Sequence, residues 1–230
     1  MSGVDVRRAQ DDEQREKTVP MPPRNLRDER RERHRELSRD QILDAAEQVF
    51  ARDGFHNAAL REIAELAEYS VGSVYTFFPG GKDDLYRATF RRRGAAFMPQ
   101  MRSILAAPLS PREQLIALAD WQVGFFRSHH HFARLVLRGG AVAPPLAEPS
   151  GDPEITKNFR EAQQLQADLF AHGQSAGELL PGPPPVLARM FSGLVAAYQT
   201  GELASTRASG PPMPLEDFHA LLARTFFTAG

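Results

Sequence analysis

Between two stretches that read as helix stands "SVGSVYTFF", Ser70 to Phe78, built from Val, Gly, Ser, Thr, Tyr and Phe. All are mediocre or poor helix formers in isolation. If the segment is helical, Ser70 can cap it, and the helical repeat puts Val71, Val74, Tyr75 and Phe78 on one side. Gly72, Ser73, Thr76 and, at the edge, Phe77 fall on the other. Packing through Val74 and Phe78 must then compensate for weak intrinsic propensity, while the opposite side stays slim. Pro79-Gly80-Gly81 stops the helix.

The flanking residues supply the packing partners. Ser38-Arg39-Asp40-Gln41 has capping-box spacing and predicts a helix start, followed by an apolar stripe of Ile42, Ala46 and Val49 with Leu43 and Phe50 beside it. Gly54 is the expected C-cap. After Asn57, an expected N-cap, Leu60, Ile63, Ala64 and Ala67 repeat the pattern of a short amphipathic helix that Glu68-Tyr69 breaks. Three short helices with a tight turn before the third describe a helix-turn-helix unit; a helical hairpin without a ligand fits the same pattern. In the first reading, Gly72 and Ser73 let the backbone approach phosphate closely, and exposed amides there favour an anion.

Composition narrows the rest. The 230 residues carry a formal net charge of -1 and no Cys, so disulfides and cysteine-ligated zinc are excluded, and any nucleic-acid contact must be local. The N-terminus has no apolar h-region, and no uncharged apolar run approaches membrane-spanning length, which predicts a cytoplasmic protein without membrane partners. Met1 to about Pro23 reads as a disordered tail. "RNLRDERRERHRELSR", from Arg24 to Arg39, has two open readings: a solvated, salt-bridged helical extension, or a basic arm on phosphates or the minor groove.

"ILDAAEQVFARDGF", "LREIAELA", "SVGSVYTFF" and "GKDDLY", in this order and spacing, resemble the DNA-binding domain of TetR-family transcriptional regulators over about Ser38 to Arg93. The resemblance implies a recognition helix from Val71 to Phe78. It places Ser73, Tyr75, Phe77 and Lys82 at phosphate or groove positions and Thr76 toward base edges. Some positions depart from the family pattern. Ala58 and Ala59 stand where two Thr are common, leaving capping to Asn57 or the backbone. Glu68 stands at a turn position where Gly is frequent, which strains the backbone if φ is positive there. Phe77 replaces a common Tyr, and "PGGK" carries one residue more than usual before Lys82. The groove face has no Arg, Asn, Gln or Lys for bidentate base contacts. Specificity is therefore expected from Thr76, backbone amides, Arg61 on the second helix and DNA shape read by the arginine-rich arm.

Beyond the unit, Ser110-Pro111-Arg112-Glu113 is a second capping box, and the helix it opens is apolar nearly all round. Further helices are expected at Phe132 to Leu137, around Ile155 to Leu169, Leu187 to Tyr198, and Phe218 to Phe226, set off by clusters such as "PGPPP" and "SGPPMP". The expected architecture is all-α: a tail and arm at 1–36, a helix-turn-helix domain at 37–96, and a helical bundle at 97–230. The resemblance implies that the bundle takes a small-molecule effector and that the last two long helices form a homodimer on an operator in double-stranded DNA. Candidate pocket walls are Trp121, Phe125, Phe132, Phe159, Phe170, Met190 and Tyr198, about a third of which should line a cavity for an apolar or aromatic effector. His129-His130-His131 raises the alternative of an all-helical metal-dependent hydrolase using acids such as Asp120 or Glu161. Consecutive helical residues point about 100° apart, so a polar helix junction is the competing account. No cofactor, metal or catalytic residue is expected in the leading reading.

Overall fold

The computed structural model describes residues 26–138, 152–204 and 212–229. The expected tail before Pro23 and the first half of "SGPPMP" lie outside the described residues. Nine helices occur among the described residues: α1 Leu26–Asn57, α2 Leu60–Leu66, α3 Val71–Phe77, α4 Lys82–Leu105, α5 Pro111–Ser128, α6 His130–Arg138, α7 Pro153–Ser175, α8 Pro184–Ala204 and α9 Leu215–Phe226. One isolated antiparallel bridge, Leu179 to Phe227, is the only extended pairing among them. None of these helices is long and apolar enough to cross a membrane. The all-α expectation is met.

Contacts divide the chain into two units, one up to Ser38 and one from Arg39. In the first, the residues from Leu26 are helical and almost all exposed, with the Arg33 Nε donating to the Glu29 carbonyl at 3.3 Å. The expected helix start at Ser38 is corrected by this, since Ser38 lies inside α1. Arg, Glu and Leu are strong helix formers, so the arm carries the helix upstream of the capping-box pattern. The extension is thus helical from Leu26 onward.

In the second unit, Gly54 leaves helical geometry at φ 78°, the interruption that a C-terminal glycine predicts. Ile42, Ala46, Val49 and Phe50 of α1 are buried with Ile63, Ala64, Val74 and Phe78, forming the core of the three-helix arrangement. Leu85, Tyr86 and Phe90 of α4 join this cluster, while Met101 at the other end of α4 belongs to a second core with Leu115, Leu118, Phe170, Phe191 and Phe218. Helix α4 therefore ties two cores together. Pro99 stands inside it and can donate no amide to the preceding turn. The second capping box is formed as expected: Ser110 Oγ accepts from the Glu113 amide at 3.3 Å, and a Glu113 carboxylate oxygen accepts from the Ser110 amide at 2.8 Å. Those bonds hold the Glu113 carboxyl below its ordinary range.

Candidate nucleic-acid interface and effector cavity

Helix α3 is set up by its own first turn. Ser70 Oγ accepts from the Ser73 amide at 3.0 Å and shares a second hydrogen bond with the Ser73 hydroxyl at 2.8 Å. Within α3 only Val74 is buried, with Phe78 sealed just past the end. Val71, Gly72, Tyr75 and Thr76 are exposed, and Ser73 is half-buried. The Thr76 hydroxyl donates to the Gly72 carbonyl at 3.1 Å, so its donor is spent within the helix.

Glycine sits at positions 72 and 81 for different reasons. At Gly81 φ is +62°, and an added Cβ would come within 3.1 Å of the Tyr75 ring, so the fold itself demands glycine. An added Cβ at Gly72 would meet only Ser70 Oγ, at 3.8 Å, and φ is not positive. Nothing within the protein requires Gly72, although glycine inside a helix costs roughly 0.5–1 kcal/mol relative to Ala. The turn before α3 carries Glu68 at φ 61°, the single positive-φ residue other than glycine among the described residues. The strain anticipated for Glu68 is therefore present.

Other expected contact residues are placed less simply. Arg61 is largely exposed and pairs with Glu65 at 2.8 Å one turn on, an i,i+4 bond that solvent screens and that is readily given up. Phe77 is half-buried against the first core, edge-on to Tyr69 with ring centroids 6.4 Å apart. Without a hydroxyl, the ring gains from partial apolar burial. Lys82 Nζ donates to the His56 carbonyl at 3.1 Å and lies 4.7 Å from the Phe55 ring centroid, leaving donors to spare on the ammonium. Asn57 does not cap α2. Its amide donates to the Asp53 carbonyl, and Ala59 stands at the N-cap without a side-chain bond.

The bundle holds a partly open cavity of about 140 Å³ between α4, α5, α6, α7 and α8. Phe132 and Phe159 line it, as the sequence reading expected. Trp121 and Phe125 instead stand behind the wall, packed on Phe97 at 4.3 and 5.1 Å between centroids. Phe170 and Tyr198 belong to the second core, the former edge-on to Phe226 and the latter stacked on Phe218. Met190 is exposed on α8 with Val186, Ala197 and the open Gly193 on the same face. These five residues do not line the cavity, because the neighbouring helices absorb their bulk or, for Met190, leave it outside.

Residues missed from sequence make the cavity polar in places. Gln122, Gln166, Gln199 and Ser192 line it, as does Arg93. Arg93 is committed elsewhere: its Nε and Nη2 donate to Glu47 of α1 at 2.8 and 3.1 Å, and Arg92 reaches the same carboxylate at 3.3 Å. The signal was available. Gln122 follows Leu115 and Leu118 at i+7 and i+4 on an apolar stripe, and Gln166 follows Phe159 and Ala162 in the same way, where a core residue was due.

The histidine run closes helix α5 and opens α6. His129 Nδ1 is 2.7 Å from the Phe125 carbonyl, and the rings of His130 and His131 lie 4.1 Å apart. Asp120 is paired with His219 and Glu161 with Arg102, so neither acid joins the run. Among the described residues no group of three or more His, Cys, Asp or Glu side chains is placed to hold a metal ion. A second cavity of about 610 Å³ separates the histidines from the Glu68-Tyr69 turn, and Arg93 borders this cavity too.

Residues 42–89 match the family model described as bacterial regulatory proteins, tetR family. Over 155 residues the chain is 26% identical to the fatty acid metabolism regulator protein of Bacillus subtilis (strain 168), spanning 66% of this chain and 75% of that protein. The fold is similar to that of the ketosteroid transcriptional regulator KstR2 of Mycobacterium tuberculosis, at 20% identity and a TM-score of 0.67, covering 83% of this chain and 95% of that one. It is equally similar to AibR, solved in complex with isovaleryl coenzyme A and operator DNA, at 18% identity and a TM-score of 0.67, covering 82% and 97%.

Proposed function

We propose that this chain, which belongs to the tetR family of bacterial regulatory proteins, is a dimeric repressor that leaves its operator when a small, largely apolar effector fills the bundle cavity. The observation that carries the DNA-binding part is Gly72: a destabilising residue that the fold does not need, exposed on a helix held from behind by Val74 and Phe78. Close approach of a duplex explains it. Val71, Gly72, Ser73, Tyr75 and Thr76 form the approaching face, with Arg61 and the spare donors of Lys82 toward phosphates. Thr76 offers a methyl group rather than a donor, which suits a thymine.

The effector part draws on the cavity and on the similar proteins, whose names concern fatty acids, a ketosteroid and an isovaleryl thioester. Helix α4 links the sites, since Phe90, Arg93, Gly94, Phe97 and Met98 line the cavity while Leu85 and Tyr86 pack in the first core. A ligand that prefers the arrangement unable to hold DNA shifts the population and releases the operator. For dimerisation, Val186, Met190, Gly193 and Ala197 supply a small, apolar outward stripe on α8. Ala188, Ser192 and Ala196 face the same chain instead.

Selection of bound DNA from a random pool tests the reading. The expected product is a two-fold symmetric motif with half-sites about one helical turn apart. Failure to enrich any sequence, at low salt as well, would overturn it. Within an enriched motif, Thr76→Ala is expected to relax preference at one position in each half-site, and Tyr75→Ala to weaken all sequences alike.

A further inference from the structure

The cavity wall carries four glutamines, and three of them stand where the helical repeat calls for core residues. Gln122, Gln166 and Gln199 are only 6%, 5% and 4% exposed. Gln166 Oε1 accepts from the Ser192 hydroxyl at 2.7 Å, and Gln199 Nε2 donates to the Gln122 carbonyl at 3.3 Å. The side-chain amide of Gln122 makes no hydrogen bond to any described residue, although it lines the cavity. The amide therefore faces the cavity without a protein partner, where leucine on this stripe of α5 would leave no idle polar group. Such a group is best explained by what enters the cavity.

Charge decides the class. Among the described residues Arg93 is the one charged side chain on the wall, and it is held by two bonds to Glu47, which is 3% exposed. A carboxylate brought inside would find, among the described residues, only a guanidinium already paired with an acid. It would either stay unpaired in an apolar space or compete with Glu47 for Arg93. A neutral carbonyl meets neither penalty, because it accepts from an amide N–H and needs no counter-charge. Size limits the rest: a dry cavity of roughly 150 Å³ accommodates benzene, so about 140 Å³ takes one ring or a short chain.

We infer that the effector presents an uncharged carbonyl, as an amide, ester, thioester or ketone, to Gln122 from a short apolar body, and that the matching free carboxylic acid is rejected. The inference rests on the cavity being the effector site and adds its chemical selectivity. Hexanamide and hexanoate, nearly equal in shape, form the probe pair, and hexanoyl-coenzyme A asks whether the carbonyl comes from a thioester. Binding is read by titration on the full chain at neutral pH without DNA. Hexanamide or the thioester should bind at least about tenfold tighter than hexanoate. Gln122→Leu should abolish that preference, while cyclohexane, which needs no hydrogen bond, still binds the variant and shows the cavity intact. Hexanoate binding as tightly as both carbonyl probes, no binding of any probe, or a preference unchanged in Gln122→Leu would each overturn the inference. A protein that selects hexanamide but enriches no DNA sequence would keep the inference and sink the regulator reading. The converse result would do the opposite.

Discussion

Helices α3 and α5 reach stability by opposite routes. Helix α5 runs for 18 residues with a formed capping box and buries Leu115, Leu118, Ala119 and Val123, so its surface is largely used up by its own chain. Helix α3 has seven residues, weak formers throughout, and is held by one buried side chain within it and a second just beyond. The short helix is anchored from a single side and leaves the other unused. A surface that the fold has not consumed is one that a partner can take.

The largest expected effect attacks the anchor. Phe78→Ala should destabilise the protein by about 3–5 kcal/mol, because the ring is fully packed and α3 has little else to hold it. Denaturant unfolding measures this, and a loss below about 1 kcal/mol would show that α3 stands without its anchor. Glu68→Gly should do the reverse, stabilising by about 1–2 kcal/mol through relief of the positive φ. DNA affinity, measured beside it, should stay unchanged.

Gly72→Ala sharpens the comparison most, since stability and function should part. The variant gains roughly 0.5–1 kcal/mol in unfolding experiments, while operator affinity drops as the added methyl meets the duplex. A variant both steadier and equally good at holding DNA would show that α3 is as self-contained as α5.

The smallest effect lies at the α5–α6 junction. Burial, with help from neighbouring His130 and Arg134 and against Glu47, holds His131 below its ordinary value of 6.5. The unfolded chain therefore takes the proton first, and stability present at neutral pH falls as pH drops below about 6.5. His131→Asn should flatten that decline in unfolding curves compared at neutral and mildly acidic pH.

Much of this was legible in the residues. Periodicity marks the helices, Ser70 and Ser110 mark two caps, and Glu68 marks a strained turn. The upstream extent of α1 was missed because a capping pattern describes what a segment can do, and Ser38 lies inside a run of good helix formers that overrides it. The cavity was harder. Whether Phe170 or Phe132 faces open space depends on which helices meet there, information that a single helix face does not contain. Polar residues on apolar stripes were the better guide, because a misplaced amide is costly wherever the neighbours fall.

Arg93 borders two chambers at once, one in the bundle and one beside the turn that precedes α3. Its grip on Glu47 has a backup, since Arg92 holds the same acid. A visitor crowding the guanidinium would loosen one of two tethers without casting the carboxylate adrift. Under the proposed function, communication between the halves would be a dimmer in place of a toggle, its range set by how much of the load the second arginine can carry.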